Sequence, residues 1–222
     1  MPDISQFLAA FSVAILPLLF AITVHEVAHG WVAKQFGDPT AQRLGRLTLN
    51  PAKHIDPVGT IVAPLLLLFM SGGRFAFGWA KPVPITWENL RHPKRDMAIV
   101  AAAGPMTNLV MAFGWALIAK VGVLLTGTFD WAAQPMILMG KIGIEINAIF
   151  MILNLIPLPP LDGGRVAVGL LPGPWAWRLA RIEPFGFFIL LALLFTGILG
   201  NIINPPIQAV VRLIFLAVGL GG

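Results

Sequence analysis

The fold is decided first by residues 6–33, which read QFLAAFSVAILPLLFAITVHEVAHGWVA. This apolar run is longer than the roughly 20 residues that a helix needs to cross a bilayer. Its second half nevertheless contains His25-Glu26-Val27-Ala28-His29, with three ionisable side chains in five positions. Such groups are costly inside a membrane and mark functional sites there. The run is not a cleavable signal peptide, because no Lys or Arg precedes Lys34.

The composition of the 222-residue chain is that of an integral membrane protein. Apolar residues make up 57% and charged residues 11%, with a mean hydropathy of +0.83, whereas a soluble domain carries about a quarter charged residues. Cysteine is absent, so disulfides and thiolate metal ligands are excluded. The net charge of +5 is assigned to membrane orientation and not to nucleic acid, because no basic-aromatic cluster accompanies it.

The spacing of the polar motif suits a metal site. A helix turns about 100° per residue, so His25 and His29 lie about 40° apart and their imidazoles can reach one ion. Glu26 lies about 60° from His29, close enough to address a metal-bound water without being a ligand. An HExxH pattern on a helix is typical of zinc hydrolases. The alternative is a pair of histidines hydrogen-bonded inside a helix bundle, with Glu26 as their partner.

The chain is predicted to form a single all-α, polytopic membrane domain over 1–222, with a core at 6–170 and about five transmembrane helices. Apolar stretches lie at 6–33, 57–70, 97–123, 134–157, 185–200 and 202–220. Run 57–70 is short for a span and is predicted to be re-entrant. Residues 74–95 alternate apolar residues with Gly and Pro, which favours a short β-hairpin or an extended loop on the cytoplasmic side. Residues 201–206, NIINPP, divide 185–220 into two runs, either a helical hairpin at 184–220 or one broken helix.

Basic residues set the predicted orientation. Nine of the 15 Lys and Arg residues lie in 34–96, and none lies in 124–137. The positive-inside rule therefore places 34–96 and 161–183 in the cytoplasm and 124–137 outside, with the N-terminus outside. Run 57–70 must then not cross, so that the helix at 97–123 begins inside. The HExxH motif and residues 157–162 consequently meet at similar depth, near the cytoplasmic surface.

A catalytic zinc site needs a third protein ligand, with water in the fourth place. Asp162 and His54 are the main candidates, with Glu145 and His92 behind them. Asp162 lies in 154–165, NLIPLPPLDGGR, where prolines and glycines break the helix and can aim a carboxylate into the bundle. The alternative for Asp162 is an N-cap of the segment 163–171. His54 is read as a structural residue near the membrane surface, although a place at the site is left open.

Three motifs together resemble the site-2 protease family of intramembrane zinc metalloproteases. They are HEVAH at 25–29 in the first membrane helix, GPMTN at 104–108 in a second, and NLIPLPPLDGG at 154–164 after a third. The stretches NPAKHIDP at 50–57 and GWAKPVP at 78–84 look like the compact members that lack a PDZ domain. The resemblance covers about residues 10–170, and the order and spacing of the motifs both match.

The resemblance implies one Zn²⁺ held by His25, His29 and Asp162, with Glu26 as general base. The resemblance also implies that Asn108, Asn154 and Pro157 hold an unwound substrate segment. Buried amides can pair the freed N–H and C=O groups of such a segment in a dry site. For Asn108 the alternative is a helix–helix hydrogen bond, which neighbouring Gly104 and Thr107 favour.

The predicted function is zinc-dependent cleavage of a transmembrane segment of a membrane-protein substrate near the cytoplasmic side, as in regulated intramembrane proteolysis. The predicted location is multi-pass, in the bacterial cytoplasmic membrane, with lipid and a transmembrane substrate as partners and homo-oligomerisation left open. Two other classes use the same polar residues: a membrane scaffold that binds helices without cutting them, and a zinc or proton transporter. A transport pathway spreads its polar residues across the bilayer, whereas here they cluster near one end, apart from Glu145.

Overall fold

The regular structure of the chain is helical. The computed structural model describes residues 4–70, 72 and 78–220, and no strand occurs among them. The α-helices are α1 (Ile4–Gln35), α2 (Thr40–Arg43), α3 (Ala63–Met70), α4 (Pro93–Leu125), α5 (Asp130–Asn154), α6 (Asp162–Leu170), α7 (Gly173–Ala180), α8 (Glu183–Phe195) and α9 (Ile198–Val218). Turns of 3-10 helix lie at Pro51–Lys53 and Trp87–Asn89, and a π-helical turn at Pro57–Val62 leads into α3. The predicted all-α class is confirmed.

Four helices are long and apolar enough to cross a membrane in the part of the chain that the structure describes. They are α4, α5, α9 and the Ser12–Gln35 part of α1. Helix α8 has 13 residues, which span about 20 Å, whereas the hydrocarbon core is about 30 Å thick. The predicted number of about five transmembrane helices is therefore not confirmed.

Helix α4 is the centre of the bundle, since it contacts α1, α5, α6 and α9. Glycines bring it close to α5: a Cβ on Gly140 would lie 2.6 Å from the Cβ of Ala119, and one on Gly122 would lie 2.9 Å from the carbonyl oxygen of Ala133. Membrane helices pack through small residues because lipid gives no hydrophobic drive for association. The two helices are antiparallel and are joined by the loop 126–129.

Helix α9 runs parallel to α4. One buried cluster joins it to α4 and α5 through Trp115, Ile144, Ile207, Val211 and Ile214. The ammonium group of Lys120, near the end of α4, donates to the carbonyl oxygen of Gly219 at 2.7 Å. Helix α9 therefore ends at the same end of the bundle as the α4–α5 loop, away from the HExxH motif.

The predicted break at 201–206 is wrong in position. Helix α9 passes through Pro205 and Pro206, and the chain turns instead at Gly197, where φ is 75°. Glycine adopts this left-handed conformation without steric cost. Proline is tolerated within membrane helices, and packing of the following turns against α4 and α5 stabilises the helical path. Two helices, α8 and α9, thus occupy most of 185–220, and a hairpin of two crossing helices there stays a prediction.

The run 57–70 forms a short helix of mixed type. The carboxylate of Asp56 accepts a hydrogen bond from the N–H of Gly59 at 2.7 Å and caps its start. The helix ends at Met70 with Leu65 and Phe69 exposed by 61% and 85%. A crossing would need about 20 residues, so this length agrees with the predicted re-entrant or interfacial segment, which stays a prediction.

Residues 78–86 are extended and lie across the HExxH end of the bundle. The N–H of Trp79 donates to the carbonyl oxygen of Gly59 at 3.0 Å, and that of Lys81 to the carbonyl oxygen of His54 at 2.9 Å. Residues 78–86 contain no strand, which agrees with the extended-loop alternative. The part of the predicted hairpin at 74–77 lies outside the described residues.

Candidate metal centre

Three ionisable side chains predicted to bind zinc meet at one point. The Nε2 atoms of His25 and His29 lie 3.1 Å and 3.2 Å from Oδ2 of Asp162, and 3.0 Å from each other. All three residues are buried, with exposed fractions of 6%, 7% and 8%. The structure thus brings together the two motifs that are about 130 residues apart in sequence. Among the described residues, these three form a group of His and acidic side chains whose donor atoms lie close enough together to hold one metal ion.

The spacing of the donor atoms fits a tetrahedral ion. Donors about 2.0–2.2 Å from a zinc ion in tetrahedral geometry lie about 3.3–3.6 Å apart, close to the 3.0–3.2 Å found between these atoms. Oδ2 of Asp162 is buried and has no hydrogen-bond partner among the described residues. A buried carboxylate oxygen without such a partner is costly, and a cation between it and the two imidazoles removes that cost.

The other ring nitrogens fix the imidazoles in the form that a metal needs. Nδ1 of His29 lies 2.7 Å from the carbonyl oxygen of Val100, which can only accept, so Nδ1 carries the proton. Nδ1 of His25 lies 2.6 Å from Oδ1 of Asn108. In the neutral rings both Nε2 atoms therefore present lone pairs toward Asp162. Second partners of this kind orient metal-ligating histidines and raise their basicity.

Asn108 lies behind the site and not in it. It is fully buried, and its amide nitrogen donates to Oδ1 of Asn147 at 2.9 Å and to the carbonyl oxygen of Ala21 at 3.3 Å. These bonds tie α4 to α5 and α1 and leave Oδ1 facing His25. The amide is thus occupied inside the protein, which favours the helix–helix alternative and does not support the predicted contact with substrate.

The backbone before α6 delivers Asp162 to the histidines. Helix α5 ends at Asn154, the segment 155–161 turns through a cis Pro159–Pro160 peptide, and α6 begins at Asp162 with Leu161 as its N-cap residue. A Cβ on Gly163 or Gly164 would overlap the backbone of 155–159. The two glycines therefore permit the tight turn that directs the carboxylate toward the histidines. Since Leu161 is the N-cap residue of α6, the alternative in which Asp162 caps this helix is wrong.

Gly104 leaves room for the donors on the opposite side. A Cβ at this position would overlap Nε2 of His29 and lie 2.6 Å from Nε2 of His25. Any side chain here would displace both imidazoles. The 104–108 motif therefore needs glycine at its first position for a steric reason.

Glu26 lies beside the donor cluster and faces an extended backbone. Its Oε2 accepts a hydrogen bond from the N–H of Val83 at 2.7 Å. Both residues line a cavity of about 490 Å³ that also exposes the three donor residues. The shared cavity agrees with the predicted place of Glu26 beside the histidines, and no signal in the sequence identifies Val83 as its partner.

The cavity is enclosed mainly by apolar and aromatic groups from α8 and the segment 79–87, whereas α1 and α6 contribute its ionisable groups. Its lining includes Trp79, Pro82, Ile85, Trp87, Phe187 and Leu190. Arg165 also lines it, 5.5 Å from the ring centre of Trp87 and 3.5 Å from the carboxylate of Glu183. Such a space suits an extended peptide with apolar side chains better than a hydrated ion path.

The two other predicted substrate residues differ in position. Asn154 lines the cavity, and its amide nitrogen donates to the carbonyl oxygen of Phe150 at 3.0 Å, which leaves its Oδ1 without a described bond. Pro157 is exposed and does not line this cavity. The position of Asn154 therefore agrees with a contact to substrate, whereas that of Pro157 gives no such support.

The remaining candidates lie away from the three donors. His54 is buried outside the cavity, and its Nε2 lies 2.9 Å from the carbonyl oxygen of Thr48, as its structural reading expects. His92 precedes α4 in a loop. Glu145 is exposed on α5. None of them belongs to the metal cluster.

A buried carboxylate fixes the segment that forms the cavity wall. Asp38, just after α1, accepts hydrogen bonds from the N–H of Thr86 at 2.8 Å, from the amide of Asn89 at 2.9 Å, and from the N–H and hydroxyl of Thr40. Burial raises the pKa of Asp38, but the hydrogen bonds from Asn89, Thr40 and Thr86 outweigh it and hold the pKa below its usual range. Sequence reasoning missed this residue, because a single Asp in a loop carries no pattern.

Comparison with known proteins decides the family. The sequence model of peptidase family M50 matches residues 13–197. The chain belongs to peptidase family M50. Its relatives include "Putative zinc metalloprotease YwhC" of Bacillus subtilis, 36% identical over 88% of this chain and 85% of the relative. Another is "Putative zinc metalloprotease Rip2" of Mycolicibacterium smegmatis, 30% identical over 88% of this chain and 71% of the relative. No solved structure matches.

M50 membership and the donor cluster together establish a zinc-dependent protease of the site-2 type. The relatives carry zinc metalloprotease names, and the residues present fit one ion with two imidazoles and one carboxylate. The four apolar helices agree with a multi-pass membrane protein. The enzyme class and the metal predicted from HExxH are confirmed.

Proposed function

We propose that the protein is an intramembrane endopeptidase that cuts a transmembrane segment of a substrate close to the cytoplasmic surface. One observation carries the proposal. A complete set of metal donors and a neighbouring carboxylate opens into an apolar cavity, and the donors come from a membrane-spanning helix and from the segment after another. Water-soluble peptides do not need a site at this depth.

The proposed ligands are His25 and His29 through Nε2 and Asp162 through its carboxylate, all presented at one point. Zn²⁺ bound there supplies Lewis acidity toward water and toward the scissile carbonyl. The neighbouring Glu26 accepts the proton of the attacking water and passes it to the nitrogen of the leaving amine. Asn108 and the carbonyl of Val100 keep the imidazoles oriented during this transfer.

The substrate is held as an extended strand next to residues 78–86. A helix must unwind before its peptide bond is exposed, and the freed N–H and C=O groups then need partners. The extended 78–86 backbone and the free Oδ1 of Asn154 border the cavity and offer such partners. Asn154 and not Asn108 is the substrate-binding amide in this proposal.

The proposal is tested by co-expressing the protein with a single-span membrane substrate and mapping the fragments by mass spectrometry. We expect cleavage within the span, near its cytoplasmic end. Glu26→Gln is expected to abolish the product while bound zinc stays near one per chain. Equal product from both forms would contradict the proposal.

A proteoliposome zinc-flux assay separates the competing classes. We expect no flux above that of empty liposomes, because the polar donors cluster at one depth. Flux that Asp162→Ala abolishes would favour a transporter, and zinc binding without cleavage of any tested span would favour a scaffold.

A further inference from the structure

We propose that Arg46 is a positioning residue for Glu26 and acts through the backbone of residues 81–83. Nη2 of Arg46 donates to the carbonyl oxygen of Lys81 at 2.9 Å and to that of Pro82 at 3.4 Å. The next residue, Val83, donates its N–H to Oε2 of Glu26 at 2.7 Å. The inference rests on the proposed role of Glu26 as general base, and it adds a residue that the HExxH motif does not contain.

One peptide group links the two charged side chains. The carbonyl of Pro82 and the N–H of Val83 belong to the same planar trans peptide, so they point in opposite directions. Arg46 lies at the oxygen and Glu26 at the N–H. A cation at one end and a carboxylate at the other polarise this peptide in the same sense, which strengthens both hydrogen bonds. A displacement of this peptide would therefore move the donor away from Glu26.

The extended segment 79–83 is bonded to the rest of the protein at every second residue. The N–H of Trp79 donates to Gly59 and the N–H of Lys81 donates to His54, before that of Val83 reaches Glu26. This alternation is that of an extended backbone with one edge bonded. His54 is itself fixed, since it is buried and its Nε2 lies 2.9 Å from the carbonyl oxygen of Thr48. Residues 46–54 thus form a support for the segment that holds Glu26.

Both segments pack on α1 one turn after Glu26. A Cβ on Gly30 would lie 2.7 Å from Cγ1 of Val83 and 2.7 Å from Cδ2 of Leu47, the neighbour of Arg46. Residues four apart share one face of a helix, so this contact sets the place of Val83 relative to the carboxylate of Glu26.

The bond to Val83 leaves half of the carboxylate for chemistry. Oε1 of Glu26 has no hydrogen bond among the described residues, so it can take the proton of the attacking water while Oε2 stays fixed. Arg46 lies outside the lining of the cavity and does not touch a substrate bound there. Its Nε is buried without a partner in the described part of the chain, a cost that the arginine meets while Nη2 holds the segment.

Cleavage kinetics with a purified single-span substrate test the positioning role. Arg46→Gln should lower kcat at least tenfold and change KM less than twofold, because a misplaced base slows the chemical step and not binding. Arg46→Lys keeps a cation that can donate to the carbonyl of Lys81 and should restore kcat to within threefold of the wild type. Arg43→Gln, at an exposed position of α2, is the control and should keep both constants. Bound zinc should stay near one per chain in all three variants.

A second variant removes the donor itself. Val83→Pro deletes the N–H in a segment that already has proline at 82 and 84, and it should lower kcat at least tenfold with Arg46 intact.

The outcomes separate this inference from the proposed function. Wild-type kcat in Arg46→Gln or in Val83→Pro, beside an inactive Glu26→Gln, would overturn the positioning role alone. A loss in Arg46→Gln that appears only as a higher KM, or together with lost zinc, would also overturn it, since it would indicate substrate binding or folding. Product from Glu26→Gln would overturn the general-base role and this inference with it.

Discussion

At the scale of single residues, the metal centre depends on atoms that are not themselves donors. Asn108 accepts from Nδ1 of His25 and is held by Asn147 and Ala21. Losing such a second partner typically lowers metal affinity 10–100-fold. We therefore expect Asn108 to act by orienting His25, while its predicted contact with substrate stays a prediction.

We expect Asn108→Ala to weaken zinc binding by about 10–100-fold, measured by chelator competition on the purified protein. Val110→Ala, at an exposed position of the same helix, serves as the control, with affinity close to that of the wild type. A substrate-binding role without a metal role predicts instead that Asn108→Ala leaves zinc affinity unchanged and raises KM.

The donor residues could be predicted from sequence, but their partners could not. HExxH fixes two imidazoles and a carboxylate by helical periodicity alone, and the prolines before Asp162 with the glycines after it favour Asp162 as a third donor. Asn108 and Val83 meet His25 and Glu26 only through packing between distant segments. A single sequence gives no signal for such contacts, so the hydrogen bond between Asn108 and His25 could not be predicted from it.

At the scale of helices, the site depends on how closely α4 approaches α1. Gly104 allows that approach, since a Cβ there would overlap the ring atoms of His25 and His29. Gly114 lies on the same helix with open space around its Cβ position. The two glycines lie in the same helix, but a side chain fits at Gly114 and does not fit at Gly104.

We expect Gly104→Ala to reduce bound zinc at least tenfold, because both imidazoles must move from the donor position. Gly114→Ala should keep zinc and raise stability slightly, since alanine favours a helix by about 0.5–1 kcal/mol over glycine. Zinc per chain, measured by plasma mass spectrometry, checks both. Full occupancy in Gly104→Ala would show that α1 and α4 can separate without cost.

The 78–89 segment is held at the cavity by the carboxylate of Asp38. The pKa of Asp38 is lowered in the fold from an unfolded value of about 3.9. Its stabilisation is therefore present above the unfolded value and is lost as the pH falls through the folded-state pKa. Asp38→Asn should cost about 1–3 kcal/mol at neutral pH, with the difference from wild type shrinking below about pH 4.

Thermal unfolding from pH 7 to pH 3 measures this difference, and Glu88→Gln, an exposed acid in the same segment, is the control. A constant gap across this range would mean that the charge on Asp38 is not the stabilising group.

At the scale of the whole molecule, the fold places the C-terminal ends of α4 and α9 away from the metal centre. Lys120 bonds the carbonyl of Gly219, so the end of α9 lies with the α4–α5 loop. Composition alone predicts a membrane protein, and counting residues shows that the run 57–70 is short. The direction of α9 could not be predicted from the sequence, because it depends on α8 being too short to span and on the turn at Gly197.

Four crossings predict that residue 220 lies on the same side of the membrane as residue 128. Thr128→Cys and Leu220→Cys should react with an impermeant thiol reagent from one side, and Lys53→Cys from the other. Five crossings would instead group Leu220→Cys with Lys53→Cys. The cysteine-free background makes each labelled position unambiguous.

We expect one zinc ion to be bound by residues that the sequence separates by about 130 positions. An anomalous-difference map at the zinc absorption edge, from crystals of the zinc-loaded protein, tests it most directly. We predict one peak about 2.0–2.2 Å from Nε2 of His25, Nε2 of His29 and the carboxylate of Asp162. A peak bound by other side chains, such as His54 or Glu145, or zinc bound to the two histidines with Asp162 turned away, would contradict the account.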